Sequence, residues 1–281
     1  MNPIILPDFP KGFHVWTFHI HFYGYHTWEL FIHFYALAYI AGILIGWKLM
    51  QKLCVKPPIA ATNLQIDDFV TWATLGIILG GRLGYVCFYQ PLNFLTHPLE
   101  IFEVWDGGMS FHGGFLGVAI AIILFCRQEK LSPLRFADRL AVVAPIGLFL
   151  GRCANFINEE LWGRAAPAWF PFAMVYPGDG SHTARYPSEL IEALLEGVVL
   201  FLIMLAAVQS QKLRNHAGIL TGLFIAGYAI ARITSEFFRE KDEFFHSYFV
   251  FGTTMGQILS LPMLLAGLGL IIWGARHNRA V

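Results

Sequence analysis

Residues 188–208 run Ser188-Glu189-Leu190-Ile191-Glu192-Ala193-Leu194-Leu195-Glu196-Gly197-Val198-Val199-Leu200-Phe201-Leu202-Ile203-Met204-Leu205-Ala206-Ala207-Val208. Three carboxylates open the stretch, and the rest is apolar. Crossing a hydrocarbon core of about 30 Å takes roughly 20 mostly apolar residues in a helix. The stretch therefore predicts a membrane span with acidic groups gathered at one end. Six more stretches of this kind lie near 29–49, 68–89, 108–126, 136–157, 217–237 and 256–274. Pro, Gly or charged punctuation separates them, as at Lys56-Pro57-Pro58, Gln90-Pro91, Ser132-Pro133 and Arg214-Asn215. The expected fold is an all-α membrane protein, a polytopic bundle of about seven transmembrane helices. The one long connection, 158–187 between the fourth and fifth spans, is the candidate extramembrane cap.

Composition points the same way. Of 281 residues, 56% are apolar and 14% charged, and the mean hydropathy is +0.56. Soluble domains run nearer 45–50% apolar and 25% charged. Formal net charge is zero, so nothing in the balance points to nucleic acid as a partner. Cys54, Cys87, Cys126 and Cys153 are widely spaced with no C-x-x-C pair, which reads as packing rather than a disulfide framework. No basic segment followed by a short apolar run and a small-residue cleavage site leads the chain, so no removable signal peptide is expected. Residues 1–28, rich in aromatics and His, read as an interfacial arm ahead of a transmembrane domain at 29–281. His14, His19, His21 and His26 in that arm close no convincing tetrahedral set, and no metal is expected.

Lys and Arg favour cytoplasmic ends. With alternating spans, eleven fall on one side, among them Lys48, Lys52, Lys56, Arg127, Lys130, Arg135, Arg139, Lys212 and Arg214. Five fall on the other: Lys11, Arg164, Arg185, Arg239 and Lys241. That asymmetry places the N-terminus and the 158–187 cap outside and the C-terminus inside. Within the second span Gly76, Gly80 and Gly84 recur every four residues, a pattern that lets helix backbones approach closely.

Counting depth at 1.5 Å per residue brings the intramembrane polar groups to one level near the outer face. Tyr35 lies near the outer end of the first span, Arg82, Tyr85 and Tyr89 in the outer half of the second, and His112 opens the third. Arg152 and Asn155 close the fourth, Glu189, Glu192 and Glu196 begin the fifth, and Tyr228, Arg232 and Glu236 occupy one face of the sixth. Arginine within a span costs about 2.5–3.5 kcal/mol on insertion scales and faces the bundle interior or a wet cavity. Three at one depth imply an anionic guest, and guanidinium matches phosphate in a two-pronged geometry. The alternative is mutual pairing that serves assembly alone, with Arg232 held by Glu236 and Arg82 reaching the interface.

A base is suggested by Trp105-Asp106-Gly107-Gly108-Met109-Ser110-Phe111-His112-Gly113-Gly114, where glycines flank one imidazole. A histidine hydrogen-bonded at the helix start is the other reading. Ser110 lacks the final Gly of a nucleophile elbow, and no H-E-x-x-H metal motif is present.

Val104 to Gly114, the run Gly151-Arg152-Cys153-Ala154-Asn155-Phe156-Ile157-Asn158-Glu159-Glu160-Leu161-Trp162-Gly163-Arg164, the run Gly80-Gly81-Arg82-Leu83-Gly84-Tyr85, and Arg232 through Arg239 resemble the prolipoprotein diacylglyceryl transferases. The resemblance implies a seven-helix enzyme of the bacterial inner membrane. It would move the diacylglyceryl group of phosphatidylglycerol onto the lipobox cysteine thiol of a prolipoprotein, forming a thioether and releasing glycerol 1-phosphate. The family's important positions fall on His112, Arg152, Asn155, Glu160, Gly163, Tyr228, Arg232 and Glu236. Its first-helix tyrosine falls on Tyr35 or, on the local pattern His21-Phe22-Tyr23-Gly24, on Tyr23; Tyr35 is preferred because it leads directly into a span. Where the family has Gly, this chain has Glu159, and a motif resembling R-H-P-S-Q-L-Y-E reads Arg185-Tyr186-Pro187-Ser188-Glu189-Leu190-Ile191-Glu192.

On this reading Arg152 and Arg232 hold the phosphate, Asn155 and Tyr35 orient the headgroup, and Glu236 holds Arg232. Glu160 orders the cap, and His112 takes the thiol proton. No cofactor is required. The rival class is a carrier or flippase for an anionic lipid or metabolite. It predicts polar residues running from face to face, whereas the inner half here is apolar; a paralogue that binds lipoproteins without turnover is a third possibility.

Overall fold

The computed structural model describes residues 3–21, 25–88, 94, 96–103, 108–240 and 253–277; at 13–21, 25–32, 111, 112 and 255 the description is of the backbone alone. Tyr89, Trp105 to Gly107, Tyr23 and Lys241 lie outside it. In chain order the elements are β1 (Ile4–Ile5), β2 (Gly12–His21), β3 (Tyr25–His33), α1 (Phe34–Cys54), α2 (Asn63–Phe88), α3 (Phe111–Gln128), α4 (Pro133–Ile157) and β4 (Met174–Val175). Then come α5 (Ser188–Gln209), α6 (Gln211–Asn215), α7 (Ile219–Ser235) and α8 (Met255–His277). The protein is a mostly helical membrane protein. Five helices, α1, α2, α4, α5 and α8, are long and apolar enough to cross a bilayer, and Gly113–Gln128 and Ile219–Ser235 are shorter apolar helices. Leu44, Leu79, Leu83, Leu116, Ile120, Leu202, Leu265 and Ile272 stand exposed on these helices. So much exposed aliphatic surface is foreign to a soluble monomer and is what a lipid-facing wall requires.

The chain departs from all-α at its start. Tyr25–His33 pairs antiparallel with Gly12–His21, so residues 29–33, expected as the opening of the first span, belong to β3 and the helix begins at Phe34. The alternation Phe18-His19-Ile20-His21 has the period of two that a strand shows. β1 lies parallel to β4, with Ile4 opposite Met174.

Two compact units form, one of residues 1–46 with 141–279 and the other built on 47–140. In the second, α2 and α3 meet through glycine. A Cβ on Gly80 would lie 2.4 Å from the Gly113 carbonyl oxygen, and one on Gly117 would lie 2.0 Å from that of Gly76. Neither residue can carry a side chain at this backbone separation. Phe69, Phe125 and Phe136 pack together beside the contact, with ring centroids 4.7–5.6 Å apart. Thr62 and Gln65 start α2 with reciprocal caps: the Thr62 backbone N–H donates to Gln65 Oε1 (3.0 Å), and that of Gln65 to Thr62 Oγ1 (3.3 Å).

In the first unit α7 and α8 approach at Gly222 and Gly267, where a Cβ on Gly267 would sit 2.6 Å from the Ala226 nitrogen. Thr254 and Gln257 repeat the reciprocal cap at the start of α8 (3.2 Å both ways). Short bridges order the 158–187 connection: Arg185 pairs with both Ala165 and Met174 within it, and Gly163 pairs with Arg239 beyond α7.

Candidate active site

Glu192, on the first turns of α5, is 1% exposed and touches three guanidinium groups. Its Oε2 lies 2.8 Å from Arg152 Nε of α4, and its Oε1 lies 2.9 Å from Arg232 Nη1 of α7. Arg239, just beyond α7, donates from Nη1 to the same Oε1 at 3.3 Å. The first two contacts are ion pairs without aligned hydrogen bonds. One turn on, Glu196 is fully buried and accepts from Arg152 Nη2 at 3.2 Å, with Arg232 Nη1 3.8 Å away. Glu236 accepts from Arg232 Nη2 across one turn of α7. Three arginines thus meet three carboxylates in a buried network of zero formal charge. Taking an ion out of water costs several kcal/mol even after relaxation, and removing one partner of a buried pair costs about 3–5 kcal/mol. The network is therefore strongly determined.

Local chain geometry sets this up. Glu192 and Glu196 are four residues apart on one face, and the helix runs as a π-helix from Ala193 to Val199. Such widened turns recur at functional sites. Gly197 lets Phe149 of α4 come close, since a Cβ there would meet the Phe149 Cβ at 2.6 Å. Gly256, in the first turn of α8, makes room for Glu236: a Cβ would lie 2.1 Å from its Oε1.

Around the network, Asn155 is 5% exposed and donates from Nδ2 to Glu160 Oε2 at 3.2 Å, while Asn158 donates to Glu160 Oε1 at 3.3 Å. Tyr228 is buried on α7 and stacks on Phe224. Tyr35 packs against Tyr39, ring centroids 5.1 Å apart, and Tyr39 lies within electrostatic reach of Arg152. Gly163 is buried where three chain segments cross. A Cβ on it would lie 2.4 Å from the Tyr186 carbonyl oxygen and 2.5 Å from that of Phe238. Next to it, Arg164 donates from Nη2 to the Glu236 carbonyl at 3.1 Å.

Eight of the ten sequence-derived site residues, Tyr35, Arg152, Asn155, Glu160, Gly163, Tyr228, Arg232 and Glu236, thus fall in one unit. Arg82 and His112 belong to the other. Arg82 is buried and donates to backbone carbonyls: from Nε to Ile101 at 2.9 Å, from Nη1 to Gly108 at 3.3 Å, and from Nη2 to Glu100. It satisfies the ends of a 3-10 turn at Pro98–Phe102. His112 is the second residue of α3, and its side chain lies outside the described part. Gly113 beside it is occupied by packing, since a Cβ would meet the Gly80 carbonyl oxygen at 2.2 Å. Ser110 is the N-cap of α3, accepting from the Gly113 amide at 3.2 Å.

Glu192, Glu196 and Arg239 were missed as site members. The two glutamates are visible in the sequence as acidic groups at the start of a span, and Arg239 as an outside charge that ends the run Arg232 through Arg239. The family departures also gain a local account. Glu159 has φ +56°, the left-handed region where Gly is free of strain, and its Oε2 accepts from the Gly178 amide. Glu189 Oε2 accepts from the Tyr176 hydroxyl at 3.1 Å. Burial, with Glu189 and Glu159 beside it, pushes the Tyr176 phenol above its ordinary range.

Fold and site together define a polytopic membrane protein with a buried arginine–glutamate network that draws on three of its helices. A family model described as "Prolipoprotein diacylglyceryl transferase" matches residues 13–273. A phosphatidylglycerol–prolipoprotein diacylglyceryl transferase of Acidiphilium cryptum is 58% identical over 242 residues, covering 86% of this chain and 87% of its own. One of Gluconobacter oxydans is 50% identical over 281 residues, covering 100% of this chain and 98% of its own. One of Paramagnetospirillum magneticum is 52% identical over 244 residues, 86% of this chain and 89% of its own. The chain belongs to the prolipoprotein diacylglyceryl transferase family.

Proposed function

We propose that this chain transfers the diacylglyceryl group of phosphatidylglycerol to the lipobox cysteine thiol of a prolipoprotein, the first step of lipoprotein maturation. The sulfur attacks the glyceryl C3 carbon, the carbon–oxygen bond to phosphate breaks, and glycerol 1-phosphate leaves with the electron pair. The thiol proton passes to a base. Family membership supports the activity, and one observation supports the site: Arg152 and Arg232, from different helices, lie on opposite oxygens of one buried carboxylate. Among the described residues, the contacts of Arg152 run through Nε and Nη2, which leaves its Nη1 edge for a phosphate oxygen. Charge on the departing phosphate is then met by fixed guanidinium groups rather than by reorganising water.

Asn155 and Tyr35 orient the headgroup, Tyr228 lines the same region, Glu236 holds Arg232, and Arg82 is assigned to substrate binding on its depth in the sequence alone. His112 takes the thiol proton on the family resemblance; an ordinary imidazole suits that task near neutral pH. A free thiol, of ordinary pKa about 8.5, is only a few per cent thiolate there, so a placed base supplies about 10²–10⁴ in rate. The topology that fits is seven spans in the bacterial inner membrane, with the N-terminus and the 158–187 cap outside and the C-terminus inside. The first 28 residues form an outer arm. Transfer from phosphatidylglycerol vesicles to a lipobox peptide tests the reading. Arg152→Ala and His112→Gln should each lose most of the rate, and wild-type rates in both would end it.

A further inference from the structure

We propose that Glu192 is the positioning residue of the phosphate site, the one carboxylate that sets the guanidinium groups of Arg152 and Arg232 and ties them to the cap. The inference rests on the reading of those two arginines as phosphate ligands. Its geometry is particular to Glu192. Among the described residues, Glu236 pairs only with Arg232 and Glu196 reaches Arg152 and Arg232, whereas Glu192 meets Arg152, Arg232 and Arg239. It is 1% exposed, so water does not screen these contacts.

An arginine side chain turns about four torsions, and an unanchored one would have to be ordered as the substrate reacts. Contact at Arg152 Nε and Arg232 Nη1, with Arg152 Nη2 on Glu196 and Arg232 Nη2 on Glu236, fixes each planar group and, among the described residues, leaves Arg152 Nη1 and Arg232 Nε to face a ligand. The third partner carries the link outward. The Arg239 carbonyl accepts from Arg164 Nε at 3.4 Å, and Arg239 bridges Gly163. A shift of the cap is therefore passed through Arg239 and Glu192 to both arginines.

Removing this carboxylate has two opposed effects. It frees the arginines to turn, which lowers kcat, and it leaves the network with one surplus positive charge, which favours an anion. The resulting split distinguishes positioning from a role in folding alone. For Glu192→Gln, measured per folded enzyme on phosphatidylglycerol and a lipobox peptide, kcat should fall at least about tenfold with KM for phosphatidylglycerol unchanged or lower. Glu192→Asp, which keeps the charge one methylene short, should recover part of kcat. An unchanged kcat in the Gln variant, or no recovery in the Asp variant, overturns the assignment. If neither variant folds, Arg239→Gln decides: a severalfold loss of kcat at constant KM supports the link, and wild-type kcat overturns it. Arg152→Ala, run alongside, separates the two levels. Wild-type turnover there refutes the phosphate reading itself, whereas an inactive Arg152→Ala beside a fully active Glu192→Gln refutes only the role of Glu192.

Discussion

Adding a single methyl group at Gly163 should disable the enzyme without touching a charged residue. The new Cβ would lie 2.4 Å from the Tyr186 carbonyl oxygen, 2.5 Å from that of Phe238 and 2.8 Å from the Tyr186 Cβ. Ordinary contact begins near 3.4 Å, so each carbonyl is about 1 Å too close. These obstacles are backbone atoms from two different segments and cannot be relieved by a rotamer change. Overpacking of this kind costs about 1–3 kcal/mol. Movement also strains the Gly163 amide to Tyr186 and Arg164 amide to Phe238 hydrogen bonds, both 3.0 Å, each worth about 1 kcal/mol. A total near 3 kcal/mol reduces the docked population of this connection about a hundredfold, at 1.4 kcal/mol per factor of ten. Phe238 moves with Arg239, and Arg239 is a partner of Glu192, so activity falls along with local stability. The assay pairs limited proteolysis of residues 158–187 with transfer to a lipobox peptide. Gly163→Ala should be cleaved faster and transfer poorly. Wild-type protection together with wild-type transfer would refute the steric argument.

Other substitutions probe separate parts of the account. Gly256→Ala places a Cβ 2.1 Å from Glu236 Oε1, so it should lower transfer about as much as Glu236→Gln does; full activity would show that Glu236 is not seated there. Gly80→Leu should lower the melting temperature in detergent by forcing α2 from α3, where a Cβ already meets the Gly113 carbonyl at 2.4 Å; an unchanged melt contradicts the close crossing. Asp179 is bonded by Arg185 at 2.8 and 3.0 Å, and this guanidinium holds its carboxyl below the ordinary range. A depressed carboxylate contributes stability above its unfolded value, near 3.9, and loses it as pH falls through the folded one. The connection should therefore become protease-sensitive under acid, and Asp179→Asn should be sensitive already at neutral pH; equal protection of the two proteins at pH 7 would count against the pairing.

Much of the fold was legible because bilayer thickness imposes a length on apolar runs. Each of the seven expected stretches contains a helix, although the first opens in β3 and two helices, Gly113–Gln128 and Ile219–Ser235, are shorter than a full span. The glycine spacing in α2 announced a close crossing, and Gly76 and Gly80 make one with Gly113 and Gly117. What escaped was the hairpin at Gly12–His33. Its aromatic and histidine content reads as interfacial, and that reading masked a period of two. At the site, depth counting brought the arginines and glutamates to one level, but depth says nothing about direction around a helix. Arg82 and Arg232 look alike in sequence, yet Arg82 caps backbone carbonyls while Arg232 faces three glutamates. The contacts of Glu192 are invisible in the sequence for the same reason: Arg152, Arg232 and Arg239 lie at least 40 residues away, and only the fold brings them to one carboxylate. Glu159 is the opposite case, a departure from a family glycine whose backbone still adopts the left-handed conformation glycine would supply.

On the proposed function, Arg152 and Arg232 grip one phospholipid phosphate. A cryo-EM map of the protein with phosphatidylglycerol bound tests it most directly. The phosphate is expected within about 3 Å, charge-assisted hydrogen-bond distance, of guanidinium nitrogens from both residues. A headgroup resolved against other side chains, with Arg152 and Arg232 still paired only to Glu192, Glu196 and Glu236, would contradict it.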